Sequence, residues 1–247
     1  MRGEKLAPAL LAAFALLGAC KEAPSNATSS AASAASLAPV VASASEGASP
    51  SVSAVASASA ADLPPDTSRK GTIVVHIGDS FTEAYFEQNL RARFASVGAK
   101  YLVRAQTPSY TPVWAYGGYD GGLDTLLHQH PALVLVTLGA NEVDMKQPEL
   151  HAKAVRELAR KAGQWGQCVW ITPPMWKKDT GFLDVIRDNC APCAYFRSDD
   201  HVKDIDRQKD GIHPNEAGGA KWAAAFWEWL EAHRVPAKGW ALTITSD

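Results

Sequence analysis

Between residues 72 and 233, short apolar runs alternate with longer stretches in which apolar positions recur every three or four residues. The runs at 72–77, 101–105, 133–138 and 169–172, with a short one at 195–197, are bounded by glycine or polar residues. The longer of them are rich in β-branched and aliphatic side chains. This pattern predicts buried strands. Between them, Phe86, Leu90, Phe94 and Val97 share one face of a helix that starts near Thr82. Leu150, Ala154, Leu158 and Ala162 form a stripe over 149–162. Ala220, Ala223, Trp227 and Leu230 mark a last helix ending near His233. Further helix starts fall near Leu123, Pro148, Gly181 and Asn215. Regular alternation of strand and helix predicts an α/β protein, a three-layer α/β/α sandwich about a mostly parallel five-stranded sheet. The body at 71–235, about 165 residues, is ample for one core.

Ahead of this body the pattern breaks. Arg2 and Lys5 precede an apolar run over 6–17, which closes with Leu17-Gly18-Ala19-Cys20. A charged start, a short apolar region and small residues before a cut predict a secretory signal over 1–20, too short to span a bilayer. The closing four residues resemble a bacterial lipobox. That resemblance implies cleavage before Cys20, acyl chains on its sulfur, and a lipid anchor in the cell envelope; the alternative is plain signal cleavage beside an incidental Cys20. Lys21, standing where an Asp would retain a lipoprotein at the inner membrane, implies the outer membrane. Residues 21–70 are dominated by Ala, Ser, Pro and Val and contain no aromatic residue. Such a segment buries too little apolar area to offset its ordering entropy and reads as a flexible tether. Residues 236–247 read as a C-terminal tail.

Three segments of the body carry candidate chemistry. The first strand delivers Ser80 to the turn Gly78-Asp79-Ser80-Phe81, just before a helix, where a hydroxyl is exposed near the positive end of the helix dipole. The third strand ends in Gly139-Ala140-Asn141-Glu142. In an open parallel sheet ligands bind at the carboxyl ends of strands, and an Asn amide there can donate to a developing negative charge. The third segment is Asp210-Gly211-Ile212-His213-Pro214-Asn215, in which an acid three residues before a histidine can fix the imidazole tautomer while the other ring nitrogen faces a hydroxyl. Each segment alone has an ordinary reading as a turn or a helix cap. Their arrival in this order, each beside a strand end or loop, is what carries the argument.

On these residues the chain resembles the SGNH hydrolases, the GDSL esterase family, over roughly residues 72 to 233. Gly78-Asp79-Ser80 matches the first block, Gly139-x-Asn141 the third and Asp210-x-x-His213 the fifth. The resemblance implies that Ser80 is the nucleophile and gives one oxyanion N–H, Asn141 gives a second donor, His213 is the general base and Asp210 orients it. It implies no cofactor and no metal. The third block usually ends in Asp where this chain has Glu142. The second block supplies a glycine N–H to the oxyanion hole; Gly118 is the preferred candidate, beside Gly117, with Ser109 and Thr111 as alternatives. An α/β-hydrolase is disfavoured, because its Gly-x-Ser-x-Gly elbow needs glycine two residues after the serine and here Thr82 stands there.

A formal net charge of −2 and the lack of a dense basic run argue against a nucleic-acid partner. His76, inside the first strand, reads as a core residue or a support to the site. With Cys20 assigned to the anchor, Cys168, Cys190 and Cys193 remain. In an exported protein a disulfide is expected, either Cys190–Cys193 or Cys168 with one of these two. Tyr110, Trp114, Tyr116, Tyr119 and Trp176 fall near the catalytic edge, as stacking faces for a sugar, walls of an acyl pocket, or ordinary rim and core packing. Two functions follow. One is an envelope-anchored serine esterase, or acyltransferase, acting on a small acyl group such as O-acetyl on an envelope carbohydrate or another small-molecule ester. The other is a non-catalytic envelope-binding lipoprotein that retains the fold. The presence of all four polar residues favours the first.

Overall fold

The computed structural model describes residues 65–83 and 85–243. The expected signal segment, Cys20 and nearly all of the tether lie outside the described residues. The chain runs β1 (Ile73–Gly78), α1 (Tyr85–Ser96), β2 (Lys100–Ala105), α2 (Thr111–Ala115), α3 (Gly122–Leu127) and β3 (Leu133–Thr137). A 3₁₀ turn, Pro148–His151, leads into α4 (Ala152–Ala162), β4 (Gln167–Ile171), α5 (Phe182–Asn189), β5 (Ala194–Phe196), α6 (Ser198–His201) and α7 (Glu216–His233). The five strands form one sheet in the order β2-β1-β3-β4-β5, and every pair is parallel.

Alternation along the strands sorts the core into two layers. Val75, Ile77, Val134, Val136 and Trp170 face one side, against Trp114, Leu123, Val155, Leu158 and Ile186. Val74, Leu133, Leu135, Val169 and Ile171 face the other, against Phe86, Leu90, Phe94, Trp222 and Phe226. Successive side chains of a strand point to opposite faces, so near-continuous apolar runs are what a doubly covered sheet requires. On the second face, α1 and α7 meet through Phe86 and Trp222, stacked at 3.6 Å between ring centroids. His76 in β1 is fully buried there. Its ring nitrogens pair with the Tyr101 hydroxyl of β2 at 2.5 Å and the Thr137 hydroxyl of β3 at 2.8 Å. Burial pushes its imidazole down to about 3, so it remains neutral and serves as a polar tie across three strands.

The structure departs from expectation in several places. The first helix begins at Tyr85 rather than near Thr82, because Thr82 N donates to Asp79 O at 3.0 Å and residues 81–83 form a turn. The aromatic stretch after β2, for which the pattern predicts no helix, holds the short α2, entered through Pro112. The folded body also extends beyond 71–235 at both ends. Arg69 pairs with Glu231, and Arg234 with Asp66 at 2.7 Å, while buried Trp240 donates its indole N–H to Thr72 Oγ1 at 2.9 Å. Among the cysteine pairings left open by the sequence, the structure takes Cys168 with Cys193 and leaves Cys190 as a free, buried thiol. Strand register accounts for the choice: Val169 of β4 lies opposite Ala194 of β5, which sets the residues one step earlier, Cys168 and Cys193, side by side. Among the described residues no helix is long and apolar enough to cross a membrane.

Candidate active site

In a sheet of order 2-1-3-4-5 the connections leave β1 and β3 in opposite directions, and a crevice opens where their carboxyl ends diverge. Ser80 follows β1 and Asn141 follows β3, one on each side of that crevice. The approach is close. A Cβ at Gly78 would collide with Thr137 O and Thr82 Oγ1, so no larger residue fits before the serine turn. Gly139 adopts φ 124°, open to glycine, and turns the chain from β3 towards Asn141.

The histidine arrives from the loop before α7. Asn215 caps that helix by accepting the Gly218 N–H at 3.0 Å. Asp210 Oδ1 accepts the backbone N–H of Ile212 at 2.8 Å and of His213 at 3.1 Å, while Oδ2 accepts from His213 Nδ1 at 2.7 Å. His213 Nε2 then stands 2.8 Å from Ser80 Oγ. The His213 bond, followed by the Ile212 and His213 N–H groups, holds the Asp210 carboxyl down at about 2, so it is ionised at any working pH. Arg207 ties this loop to the segment after β4, donating to Ile212 O, to Pro174 O at 3.2 Å and to Met175 O at 2.8 Å. Phe81 supports the imidazole from below, 5.0 Å between centroids, and is itself stacked on Trp176 at 5.1 Å. No sequence signal singled out Arg207 or Phe81 for these positions.

In the turn after β3, Asn141 Nδ2 donates to Ser109 O at 2.8 Å. Ser109 is buried, its hydroxyl accepting the Trp114 indole N–H at 3.0 Å. Trp114 is therefore core and a support for this loop, not a pocket wall. Gly118 is not brought to the crevice: its N–H donates to Val113 O at 2.9 Å in the turn after α2. The Thr111 N–H is likewise engaged, with Glu142 Oε1 at 2.5 Å. Among the described residues the N–H groups of Ser80 and Ser109 have no hydrogen-bond partner. Of the three second-block positions named with Gly118, Ser109 is the one that touches Asn141. A cleft of about 200 Å³ opens beside Ser80, lined by Phe81, Glu83, Tyr85, Gln208 and His213. Among the described residues no group of three His, Cys, Asp or Glu side chains is arranged to hold a metal ion.

No family model matches the chain, and no curated protein matches it. Solved structures do. An acetyl xylan esterase, AlAXEase, superposes with a TM-score of 0.50 at 16% identity, over 64% of this chain and 99% of that one. The psychrotrophic esterase EstA from Pseudoalteromonas sp., a structure inhibited by monoethylphosphonate, gives 0.49 at 17% identity, over 65% and 97%. The lipase/acylhydrolase from Enterococcus faecalis gives 0.49 at 17%, over 67% and 98%. At these identities the likeness is one of fold.

Two buried carboxyls lie directly behind the site: Asp79, one residue before Ser80, and Glu142, one after Asn141. Asp79 Oδ1 accepts the Phe81 N–H at 2.9 Å, and Oδ2 has no partner. Burial first, and then the neighbouring Glu142, push Asp79 up to about 8; burial pushes Glu142 up to about 7. Both groups hold a proton in the folded state that the unfolded chain releases at lower pH. Their contribution to stability is therefore full below the ordinary carboxylate range and is lost as pH rises towards 7 and 8. Asp79→Asn keeps the acceptor for Phe81 N–H and removes the titration. Denaturant melts of the two proteins from pH 5 to 8.5 should diverge in favour of the variant, by up to about 1.4 kcal/mol per pH unit. Parallel curves would show that Asp79 titrates normally.

Proposed function

We propose that this chain is a lipid-anchored serine esterase of the SGNH type. It removes a small acyl group, acetyl by preference, from an envelope carbohydrate or another ester. The observation that carries the reading is the hydrogen-bonded chain Ser80 Oγ–His213 Nε2–Asp210, with Asn141 in the turn that follows the adjacent strand β3. His213 takes the Ser80 proton as the hydroxyl attacks the ester carbonyl. Ionised Asp210 holds the imidazole by Nδ1 and stabilises the imidazolium that forms. The tetrahedral oxyanion is met by the Ser80 N–H, the Asn141 amide and the Ser109 N–H, the last replacing Gly118 in that role. The alcohol leaves with the proton from His213, and water, activated by the same imidazole, releases the acyl group. An acyltransferase differs only in that a sugar hydroxyl replaces this water.

Two features support a small acyl group on a carbohydrate. The cleft beside Ser80, about 200 Å³, is smaller than the roughly 300–1,000 Å³ usual for drug-sized ligands. Tyr110, next to Ser109, is 43% exposed and Tyr116 is 57% exposed, which leaves planar faces free for a sugar ring. Attachment through Cys20 is supported by the lipobox-like Leu17-Gly18-Ala19-Cys20 followed by the Ala/Ser-rich segment. Acyl chains there hold a protein firmly, at about 0.8 kcal/mol per buried CH₂.

Kinetics with an activated aryl acetate test the assignment of roles. Ser80→Ala should abolish turnover while leaving the melting transition in place, since Ser80 sits in a turn and its loss opens no core cavity. Asn141→Ala should lower kcat by roughly 10²-fold or more with a smaller change in KM. Normal turnover by folded Ser80→Ala removes Ser80 as nucleophile, and an Asn141→Ala effect confined to KM reassigns Asn141 to substrate binding.

Acyl length is tested with acetyl, butyryl and octanoyl aryl esters. kcat/KM should fall along the series, each unaccommodated methylene losing about 1 kcal/mol or more of transition-state binding. A steady climb would point to an open acyl groove and a lipase or thioesterase.

The anchor is tested by fractionation. Cys20→Ser should move the protein from the membrane to the soluble fraction, and continued sedimentation with membranes would remove the lipid anchor from the account.

A further inference from the structure

The loop that carries Ser109 is gripped by two consecutive residues of the neighbouring turn. Asn141 Nδ2 donates to Ser109 O at 2.8 Å, and Glu142 Oε1 accepts from Thr111 N at 2.5 Å. A donor thus holds the acceptor of one residue, and an acceptor holds the donor two residues on. Glu142 is fully buried, and its Oε2 has no partner. It faces His151 Nδ1 at 3.9 Å across the start of α4, with the Asp79 carboxyl and Tyr119 as its other titratable neighbours. Burying an acid this deeply is costly, and burial pushes it up to about 7. The return on that cost is geometric. The Ser109–Thr111 stretch leads from the cis peptide Thr107–Pro108 into the five-residue α2, and Thr111 N is its first helical amide.

We propose that Glu142 is a positioning residue whose full side-chain length, rather than its charge, fixes the Ser109 N–H at the oxyanion side of Ser80. The proposal rests on the esterase reading above and deepens it. Glutamate spans the gap to Thr111 N, and aspartate, one methylene shorter, does not. The SGNH resemblance leads one to expect aspartate here, so the exchange to Glu142 is a feature of this chain that the loop geometry makes use of. An amide oxygen at the same reach can accept the Thr111 N–H equally well. Misplacing an oxyanion donor by about 1 Å costs roughly 10–10²-fold in rate without changing ground-state contacts much.

The experiment compares Glu142→Asp, Glu142→Gln and Thr111→Pro in the full chain. The last deletes the Thr111 N–H, together with the buried Thr111 hydroxyl, and sets the proline ring against Glu142 Oε1, so the grip is broken from the loop side. Proline is favoured at the first helical position, and Tyr110 already has the extended backbone, φ −133° and ψ 149°, that a following proline requires. Two readouts are taken, steady-state hydrolysis of aryl acetate and deuterium exchange of the peptide covering 106–115. Glu142→Asp and Thr111→Pro should each lower kcat about 10–10²-fold with KM within about twofold, while Glu142→Gln restores most of the rate. Exchange should be fast in Glu142→Asp and slow in the wild type and Glu142→Gln. Wild-type kcat and exchange in Glu142→Asp would overturn the proposal. So would a Glu142→Gln protein as impaired as Glu142→Asp, since charge and not reach would then matter. If Glu142→Asp fails to fold, Thr111→Pro and Glu142→Gln decide between the same outcomes. If the wild type hydrolyses no ester, the esterase reading falls, and the exchange rates still decide whether Glu142 holds the loop.

Discussion

At the centre of the sheet, β1 and β3 run side by side until Asp79 N donates to Thr137 O at 3.3 Å, with only a hydrogen on Gly78 between the strands. The geometry of the crevice depends on this contact. It brings the turn with Ser80 and the turn with Asn141 to the same edge of the molecule, and it does so with backbone rather than side chains, which fixes their separation. Two further segments then need only be carried to that edge. The loop after β2 brings Ser109, anchored by Gln106 N on Gly78 O at 3.0 Å. The loop before α7 brings His213, held by Asp210, Arg207 and the Asn215 cap.

The strands were readable because a doubly covered parallel sheet demands uninterrupted apolar runs, and few other structures do. Ser80, Asn141 and the Asp210–His213 pair were readable for a related reason: each directly follows a strand or precedes a helix, where a polar residue between strong apolar signals stands out. The structure joins Ser80, His213 and Asp210 through hydrogen bonds, and Asn141 sits in the turn after the strand next to the one that carries Ser80. The second-block loop was not readable in this way. The glycines at 117 and 118 are the expected donors, yet there they only turn the chain after α2, and it is buried Ser109 that meets Asn141. The conformation of residues 106–110 is set by tertiary partners, Trp114 and Asn141 among them, which no local pattern encodes. The choice among the cysteine pairings that the sequence leaves open has the same origin. Cys190 and Cys193 are close in sequence, but strand register selects Cys168 for Cys193.

Charge is distributed so that the reacting edge and its support differ. Asp210, exposed and accepting three hydrogen bonds, stays ionised beside His213. Asp79 and Glu142, buried a few residues from the same crevice, are pushed the other way and hold protons near neutrality. The carboxylate that faces the His213 ring is thus kept near water and donors, while the carboxyls of the two turns are kept in the interior. Aromatic rings take part as supports: Trp176 under Phe81, Phe81 under His213, and Trp114 behind Ser109.

The central claim is that Ser80 is activated by His213. Reaction with a fluorophosphonate, followed by mass spectrometry of the intact protein and its peptides, tests this without knowledge of the natural substrate. The account predicts one adduct per chain, on the peptide that carries Ser80, and none when His213 is replaced by alanine in a protein that still melts cooperatively. An unmodified Ser80 peptide, or an adduct that forms equally fast without His213, would contradict it.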